Sequence, residues 1–294
     1  MQKLKFYLHL IRPHQYLKNG FIWLPVLFGN RIFDIPAIGR TLLAFIAFCM
    51  AASTIYIIND FLDREEDRCH PIKKNRPLAS RAVSSREALC IALICLFAAM
   101  GLALITLPGA CIYLLLGYLL LNIAYSQSLK HIPIVDIVCI AMGFVLRVFM
   151  GGAAADIPIS PWIVIMTFLL ALFLALAKRR DDLLLLSQSN SVRKAIDGYN
   201  LEFISLAMGI MASVIIVAYL LYSVSPEVEA KHGTHQLYIS GVWVLLGLLR
   251  YLQITFVEEK SGSPTLVLIK DYLLQTVIAL WLANIFILLY VIKK

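Results

Sequence analysis

Long apolar runs divide this chain, and each is close to the length that crosses a lipid bilayer. A transmembrane helix needs about 20 such residues, within a range of roughly 17–25. Because the bilayer core offers no water, backbone polar groups in such runs must pair within the segment, which helices achieve. We therefore predict a membrane-spanning helix near residues 42–58, 88–107, 110–126, 134–152, 162–177, 203–223, 237–256 and 272–292.

Composition supports lipid as the surroundings of these runs. The chain is 61% hydrophobic and 15% charged, against about 45–50% and about 25% in soluble domains. A shorter apolar run at residues 20–28 can cross only if it borrows residues 15–19. We predict an all-α, multi-pass membrane domain over residues 1–294, with about nine transmembrane helices in a cell (inner) membrane.

The basic residues predict how the chain is oriented, because cytoplasmic loops are enriched in Lys and Arg. If the N-terminus is cytoplasmic, the outer segments hold only Arg31, Arg40, Lys231, Lys293 and Lys294. We therefore expect a cytoplasmic N-terminus, an external C-terminus and an active site that faces the cytoplasm. The net charge of +8 is concentrated in loops, which indicates anionic ligands and membrane lipids rather than nucleic acid.

Cysteines and the N-terminus carry weaker signals. The six cysteines lie mostly in apolar runs, and no two pairs have zinc-ligand spacing, so we expect buried free thiols. Lys3, Lys5, Arg12 and Pro13 precede any clean apolar core, so a cleavable signal peptide is not expected.

A charged stretch begins where the 42–58 helix ends. If the helix continues, Asn59, Asp63 and Asp67 recur every four residues and share one face, with Asp60 beside them. Like charges at that spacing repel, and a divalent cation would relieve the repulsion. Carboxylate and amide oxygens suit Mg²⁺, which usually takes one or two carboxylates and substrate phosphates. We predict that these four residues are the ligands of a magnesium–diphosphate site.

The same stretch continues with basic residues that can bind phosphate oxygens: Arg68, Lys73, Lys74 and Arg76. Prolines in His70-Pro71 and Arg76-Pro77 stiffen this loop. The alternative is a solvated helix end whose charges pair with one another and with anionic lipid.

A second charged cluster ends the sixth helix. It comprises Lys178, Arg179, Arg180, Asp181 and Asp182, followed by Arg193, Lys194 and Tyr199. Its alternative explanation is a cytoplasmic anchor with a Lys178–Asp182 ion pair, which would contribute little.

Two further polar features lie in or between the apolar runs. Tyr125 and Lys130 belong to a polar inner loop, and Arg147 lies deep in an apolar run. An ionisable residue within the membrane is a functional candidate, although a structural arginine that reaches the interface is the alternative.

These residues resemble the UbiA-type superfamily of membrane transferases, whose Asn-x-x-x-Asp-x-x-x-Asp motif matches Asn59, Asp63 and Asp67. Within it, the chain is similar to the branch of decaprenyl-phosphate phosphoribosyltransferases. That similarity extends over residues 12–199 and rests on the segments 12–19, 59–77, 125–130, 143–147, 151–154, 158–162 and 177–179.

One departure from the wider superfamily narrows the choice of substrates. Typical users of prenyl diphosphates carry a second Asp-x-x-x-Asp motif after the sixth helix. Here Leu185 and Leu186 stand four places after Asp181 and Asp182, beside a basic run. A site for two phosphorylated substrates needs cations more than it needs a second carboxylate pair.

The resemblance implies transfer of a 5-phosphoribosyl group from phosphoribosyl diphosphate to a polyprenyl phosphate, with Mg²⁺ as the cofactor. Catalytic candidates are Asp63, Asp67, Lys178 and Arg179. Substrate-binding candidates are Lys18, Lys73, Lys74, Arg76, Tyr125, Lys130, Arg147, Asp182 and Tyr199. A homo-oligomer is left open.

Two other functions remain as alternatives. One is a UbiA-type prenyltransferase that moves a prenyl group from a prenyl diphosphate to an aromatic acceptor. The other is an anionic-lipid transporter or flippase, which would need polar residues on both sides of a midplane cavity. The outer loops offer few such residues.

Overall fold

The computed structural model describes residues 2–69, 73–188 and 198–291, and over these residues every regular element is a helix. Eight of the described helices are long and apolar enough to cross a membrane. The prediction of an all-α membrane protein is confirmed. The eight candidate spans are Ile35–Leu62, Ser85–Thr106, Gly109–Gln127, Val135–Ala155, Pro161–Leu185, Leu201–Ser223, Leu237–Phe256 and Tyr272–Val291.

The chain forms two compact units. The first comprises Met1–Lys130 and Gly143–Ile159, and the second comprises His131–Met142 and Ser160–Lys294. Helix α7 (Val135–Ala155) contributes residues to both units. The other α-helices of the first unit are α1 (Gln2–Ile11), α2 (Leu24–Phe28), α3 (Ile35–Leu62), α4 (Arg64–Cys69), α5 (Ser85–Thr106) and α6 (Gly109–Gln127). Those of the second unit are α8 (Pro161–Gln188), α9 (Leu201–Ser223), α10 (Pro226–His232), α11 (Gly241–Phe256), α12 (Pro264–Lys270) and α13 (Tyr272–Phe286).

Polar caps set where several of the long helices begin. The Asp34 carboxylate accepts a hydrogen bond from the Ala37 backbone N–H at the start of α3. Ser84 and Glu87 form a reciprocal capping box at the start of α5. Such caps satisfy N–H groups that have no partner within the helix. The sequence therefore fixes these helix starts locally.

Small residues hold α3 and α5 together in the first unit. Ala44, Ala47 and Ala51 of α3 lie in one buried cluster with Ala99 and Ala103 of α5. Because lipid is as apolar as leucine, membrane helices associate through close packing, which small side chains permit. On the opposite side of α5, large apolar side chains are exposed where a soluble helix would be polar.

The segment predicted to form a ninth crossing is not among the eight candidate spans, and it is not a long α-helix. A 3-10 helix of 11 residues, Pro13–Trp23, leads into α2, which has 5 residues. A 3-10 helix rises about 2.0 Å per residue and an α-helix 1.5 Å, so the pair covers about 30 Å. Side chains of this segment meet α3 successively from one end to the other, in the pairs Arg12–Asp60, Tyr16–Ser53, Asn19–Cys49 and Val26–Ala37. The segment therefore runs antiparallel to α3 along most of its length.

The second unit has its own core. Phe173 and Ala177 of α8, Ile204 and Met208 of α9, and Tyr251 of α11 belong to one buried cluster. The chain thus has separate cores in two units, and the single domain over residues 1–294 stays a prediction.

Candidate active site

The first part of the candidate site lies at the junction of α3 and α4. Helix α3 ends at Leu62, and Asp63 connects it to α4. The Asp63 N–H still donates to the Asn59 carbonyl, and the Asp67 N–H donates to the Asp63 carbonyl, both at 2.9 Å. The Asn59 side-chain amide donates to the Asp63 carboxylate at 3.1 Å. The four-residue register expected from the sequence therefore continues across the junction.

Buried carboxylates on the same junction pair with arginines. Arg76 donates to Asp60 at 3.1 Å and to Asp67 at 2.6 Å, and Arg12 also donates to Asp60. Only 1% of Asp60 and 2% of Asp67 are exposed. A solvated helix end would leave such charges in water, where they cost little. Charges kept out of solvent need partners, and here the two buried carboxylates and the two arginines form a cluster of ion pairs.

Asp63 pairs in a different direction from Asp60 and Asp67. Its carboxylate accepts a hydrogen bond of 2.7 Å from the Lys130 ammonium, which follows α6. The expected single stack of carboxylates is thus divided into an Asn59–Asp63–Lys130 group and an Asp60–Asp67–Arg76 group. Cations of the chain itself relieve the repulsion that the sequence predicts.

Whether the four predicted ligands fit Mg²⁺ depends on their donor atoms. Among the described residues, no three His, Cys, Asp or Glu side chains are grouped so that they could hold a metal ion. Magnesium, however, usually takes only one or two carboxylates and completes its shell with water and phosphate oxygens. Asp60 Oδ2 is buried and has no hydrogen-bond partner, which is rare for such an atom. Hard oxygen donors of this kind fit a Mg²⁺ ion whose remaining ligands are water and phosphate oxygens.

The basic residues after α4 differ in their surroundings. Lys73 is half-buried and Lys74 is exposed, both in a short 3-10 turn. Arg68 instead contacts the Ala79 carbonyl and the Glu65 carboxylate, so it fastens α4 to the following loop. His70 and Pro71 lie outside the described residues.

Arg147 lies in a buried cage within the first unit. Its guanidinium donates to Asn19 Oδ1 at 2.8 Å, to the Gly143 carbonyl at 2.7 Å and to the Tyr118 hydroxyl at 3.3 Å. It also lies 5.1 Å from each of the ring centroids of Phe48, Tyr118 and Phe144. These partners stabilise a cation at membrane depth through hydrogen bonds and cation–π contacts. Its role toward substrate stays a prediction.

The remaining substrate candidates of the first unit border these groups in sequence. Lys18 is half-buried on the 3-10 helix one residue before Asn19, and Tyr125 is half-buried near the end of α6. Their roles stay predictions.

A second polar group in the other unit surrounds Asp136, in the first turn of α7. Its carboxylate accepts hydrogen bonds of 2.6 Å from Arg179 Nε and from the Tyr199 hydroxyl. Arg179 also donates to Asp182 at 3.2 Å. Burial raises the pKa of Tyr199 and the hydrogen bond to Asp136 adds to this, so the phenol stays protonated.

The other members of the second cluster are placed differently. Lys178 is exposed on α8, which continues to Gln188 and does not end at this cluster as the sequence predicted. Arg180 points into the unit, where it donates to the Thr255 carbonyl at 2.6 Å and stacks on Phe256. Arg193 and Lys194 lie outside the described residues. Arg180 is therefore a structural residue of the unit rather than part of the Asp136 group.

Sequence reasoning missed three residues that organise these groups: Arg12, Asn19 and Asp136. Arg12 has a left-handed backbone with φ of 56°, directly before Pro13. Asp136 shows one sequence signal, an acid one residue inside an apolar run. Asn19 belongs to the segment 12–19 that carries the resemblance, but its role is identified only by its contact with Arg147.

Comparison with known proteins identifies the family. The model of the UbiA prenyltransferase family matches residues 21–262. This chain belongs to the UbiA prenyltransferase family. It is therefore an integral membrane protein and a transferase of the UbiA type.

Curated relatives of this family member match nearly its whole length. The decaprenyl-phosphate phosphoribosyltransferase of Corynebacterium glutamicum is 29% identical, over 96% of this chain and 86% of the relative. The decaprenyl-phosphate phosphoribosyltransferase of Mycolicibacterium smegmatis is also 29% identical, over 94% of this chain and 89% of the relative. The resemblance predicted from the motifs is confirmed.

Solved structures show the same fold. A UbiA homolog from Archaeoglobus fulgidus, bound to GPP and Mg²⁺, has a TM-score of 0.73 and 20% identity, with 97% of this chain and 100% of that chain covered. At this identity the likeness establishes the helical UbiA fold alone.

Proposed function

We propose that this UbiA-family member transfers the 5-phosphoribosyl group of phosphoribosyl diphosphate to a polyprenyl phosphate and releases diphosphate, with Mg²⁺ as cofactor. The observation that carries the proposal is the single Asn-x-x-x-Asp-x-x-x-Asp motif, without a second Asp-x-x-x-Asp pair on α8. The first unit has the carboxylates of the α3–α4 junction, whereas α8 has the basic run Lys178–Arg180 and leucines, Leu185 and Leu186, four places after Asp181 and Asp182. Relatives named as decaprenyl-phosphate phosphoribosyltransferases support this choice of donor and acceptor.

The donor's diphosphate is assigned to the α3–α4 junction. Asn59, Asp60, Asp63 and Asp67 would hold Mg²⁺, with the unpaired Asp60 oxygen as one donor. When bound, the ion neutralises charge that develops on the departing diphosphate. Lys73, Lys74 and Arg76 bind the remaining phosphate oxygens. For Arg76 this means that its guanidinium is shared between carboxylates and substrate, which its fork of five donors allows.

The candidates for the acceptor's phosphate are those predicted from the sequence: Lys130, Arg147, Lys178 and Arg179. One phosphate oxygen attacks the anomeric carbon of the ribose, and a new C–O bond forms. The C–O bond to diphosphate breaks, and the diphosphate leaves with the bonding electrons. Because the attack comes from the opposite face, the configuration of that carbon is inverted. Because the attacking phosphate is already ionised, no side chain has to remove a proton, and the basic residues serve to orient and neutralise the two anions.

The other candidates are assigned to positions along the substrates. Lys18, Tyr125, Asp182 and Tyr199 would contact the sugar, the phosphates or the beginning of the lipid chain. The apolar tail would lie against the exposed leucines and phenylalanines of the membrane helices. From the distribution of Lys and Arg in the loops, we also propose a cytoplasmic active site in the cell membrane.

A donor comparison tests the proposed reaction. Detergent-purified protein is given Mg²⁺, a polyprenyl phosphate and phosphoribosyl diphosphate, and lipid products are analysed by mass spectrometry. We expect a phosphoribosyl lipid. A parallel reaction contains a prenyl diphosphate and an aromatic acceptor. Prenylated product there, without phosphoribosyl lipid in the first reaction, would mean that the prenyltransferase alternative is correct.

Removal of the metal should stop the reaction. Incubation with EDTA is expected to lower the initial rate to background, and excess Mg²⁺ is expected to restore it, because metal charge stabilisation contributes several kcal/mol. The rate of phosphoribosyl-lipid formation is measured at a series of free Mg²⁺ concentrations. A rate that does not respond to EDTA would refute the metal assignment while leaving the transfer reaction itself intact.

A further inference from the structure

Asp136 is a buried carboxylate that belongs to none of the motifs above. It is 1% exposed, and its two oxygens accept hydrogen bonds from the predicted catalytic residue Arg179 and the predicted substrate-binding residue Tyr199. These three residues come from the start of α7, the second half of α8 and the turn before α9. One carboxylate therefore joins three segments of the second unit at a single point.

The hydrogen bond from Arg179 constrains the direction of its guanidinium. The Nε–H is the inner donor of the fork, and its 2.6 Å bond to Asp136 fixes the plane of the group. The side chain is only 12% exposed, so few other rotamers are open to it. A second, weaker contact to Asp182 at 3.2 Å holds one terminal nitrogen. Charge-assisted bonds of this kind fix both the position and the plane of a guanidinium.

Tyr199 fixes the carboxylate from the other side. Its hydroxyl donates to Asp136 and accepts from the Ile134 N–H, both at 2.6 Å. The turn that carries Tyr199 packs closely against Pro133, since a Cβ on Gly198 would lie only 2.5 Å from the Pro133 ring. Gly198 also has a φ of 98°, which favours glycine. The carboxylate is thereby held by contacts on both of its oxygens.

The three consecutive basic residues of α8 have different surroundings. Lys178, Arg179 and Arg180 are consecutive in α8, so their side chains project in different directions around the helix. Arg180 turns into the unit toward the Thr255 carbonyl, whereas Asp136 holds Arg179. Arg179 and Arg180 are thus held in different directions, and the buried carboxylate is the partner that orients Arg179.

We propose that Asp136 is a positioning residue, which orients Arg179 and Tyr199 for the phosphate of the lipid acceptor. This inference rests on the proposed function for the identity of the acceptor. Asp136 itself does not touch the substrate; it acts through Arg179. The pattern is that of a supporting residue that fixes a binding side chain in its productive geometry.

Acceptor kinetics of Asp136→Asn test the proposal. Asparagine keeps the shape and one acceptor oxygen but loses the charge. We expect the KM for polyprenyl phosphate to rise about tenfold to a hundredfold, the range for losing one charge-assisted hydrogen bond. The KM for phosphoribosyl diphosphate should stay within about twofold, and Asp136→Glu should recover part of the loss. An unchanged acceptor KM in Asp136→Asn would refute the proposal.

A double-mutant cycle separates positioning from general loosening. If Asp136 acts through Arg179, the acceptor KM of Arg179→Gln should hardly change when Asp136→Asn is added. Fully multiplicative effects would contradict the proposal. Asp271→Asn is the matched control, because it alters another Asp–Arg pair of the second unit, with Arg250 at 2.6 Å. It should leave the acceptor KM unchanged, and an equal rise there would show that the effect is not specific.

Two additional measurements keep the result decisive. If Asp136→Asn does not fold, Tyr199→Phe removes one hydrogen bond to the carboxylate without changing its charge, and it should raise the acceptor KM by a smaller factor. The Kd for a short polyprenyl phosphate is also measured by calorimetry without any donor. A larger Kd in Asp136→Asn than in the wild-type protein would support the inference. Absence of phosphoribosyl lipid from the wild-type reaction would refute the proposed function but not this inference. An unchanged Kd would refute the inference.

Discussion

Replacement of Asp63 with asparagine is expected to lower turnover by a factor on the order of 10³, because a metal ligand that supplies several kcal/mol of charge stabilisation is lost. Asp63 is the best of the predicted ligands for this experiment. Its ion pair with Lys130 is partly exposed, with about a fifth of each side chain accessible. The folded state should therefore lose little when the charge is removed.

Asp67→Asn should have a similar effect on turnover and a larger effect on stability. Its carboxylate is buried against Arg76, and removing one partner of a buried pair leaves the other charge uncompensated. The sequence alone predicts equal behaviour for Asp63 and Asp67. Their different burial is what separates them.

Turnover, metal binding and thermal unfolding are measured together for these variants. Glu66→Gln is the matched control, since it neutralises an exposed carboxylate of the same short helix, and it should keep wild-type turnover. The Mn²⁺ affinity in the presence of diphosphate, followed by electron paramagnetic resonance, should fall in Asp63→Asn. Wild-type turnover in both Asp63→Asn and Asp67→Asn would show that the metal is held elsewhere.

Gly151→Ala is expected to destabilise the first unit by about 3 kcal/mol, at the upper end of overpacking penalties. A Cβ at this position would lie 2.0 Å from the Ile22 carbonyl oxygen and 2.9 Å from its carbon. Both are backbone atoms of the 3-10 helix Pro13–Trp23, so no side chain can rotate away. The whole segment would have to move from α7.

Thermal unfolding in detergent measures this effect. At about 2–4 °C per kcal/mol for chains of this size, the apparent Tm of Gly151→Ala should fall by roughly 6–12 °C. Gly101→Ala is the control, because nothing lies within 4 Å of a Cβ there and alanine favours a helix more than glycine does. Its Tm should stay the same or rise. Equal Tm values for the two variants would contradict the close approach of α7 and the 3-10 helix.

The segment predicted as the first crossing shows both the strength and the limit of sequence reasoning. Its hydrophobic run is too short for an α-helix, and the need to borrow residues 15–19 follows from bilayer thickness alone. The 3-10 winding that supplies the length depends on contacts with α3, such as Tyr16 with Ser53. No local propensity favours 11 residues of 3-10 helix.

Local sequence determined the helices, the polar junction after α3 and the family. Long apolar runs form helices in a bilayer because their backbone groups must pair within the segment. Asn59, Asp63 and Asp67 keep their spacing because it is a property of the helix itself. The spacing does not decide what each carboxylate contacts.

Only the tertiary structure decided the partners of these charges. Arg12 reaches Asp60 across 48 positions, Lys130 reaches Asp63 across 67, and Arg147 reaches Asn19 across 128. Buried charges need partners, and the partner is set by which segments pack together rather than by any nearby residue. For the same reason Asp136 has no distinctive sequence pattern, and its bonds to Arg179 and Tyr199 appear only after α7, α8 and α9 have packed.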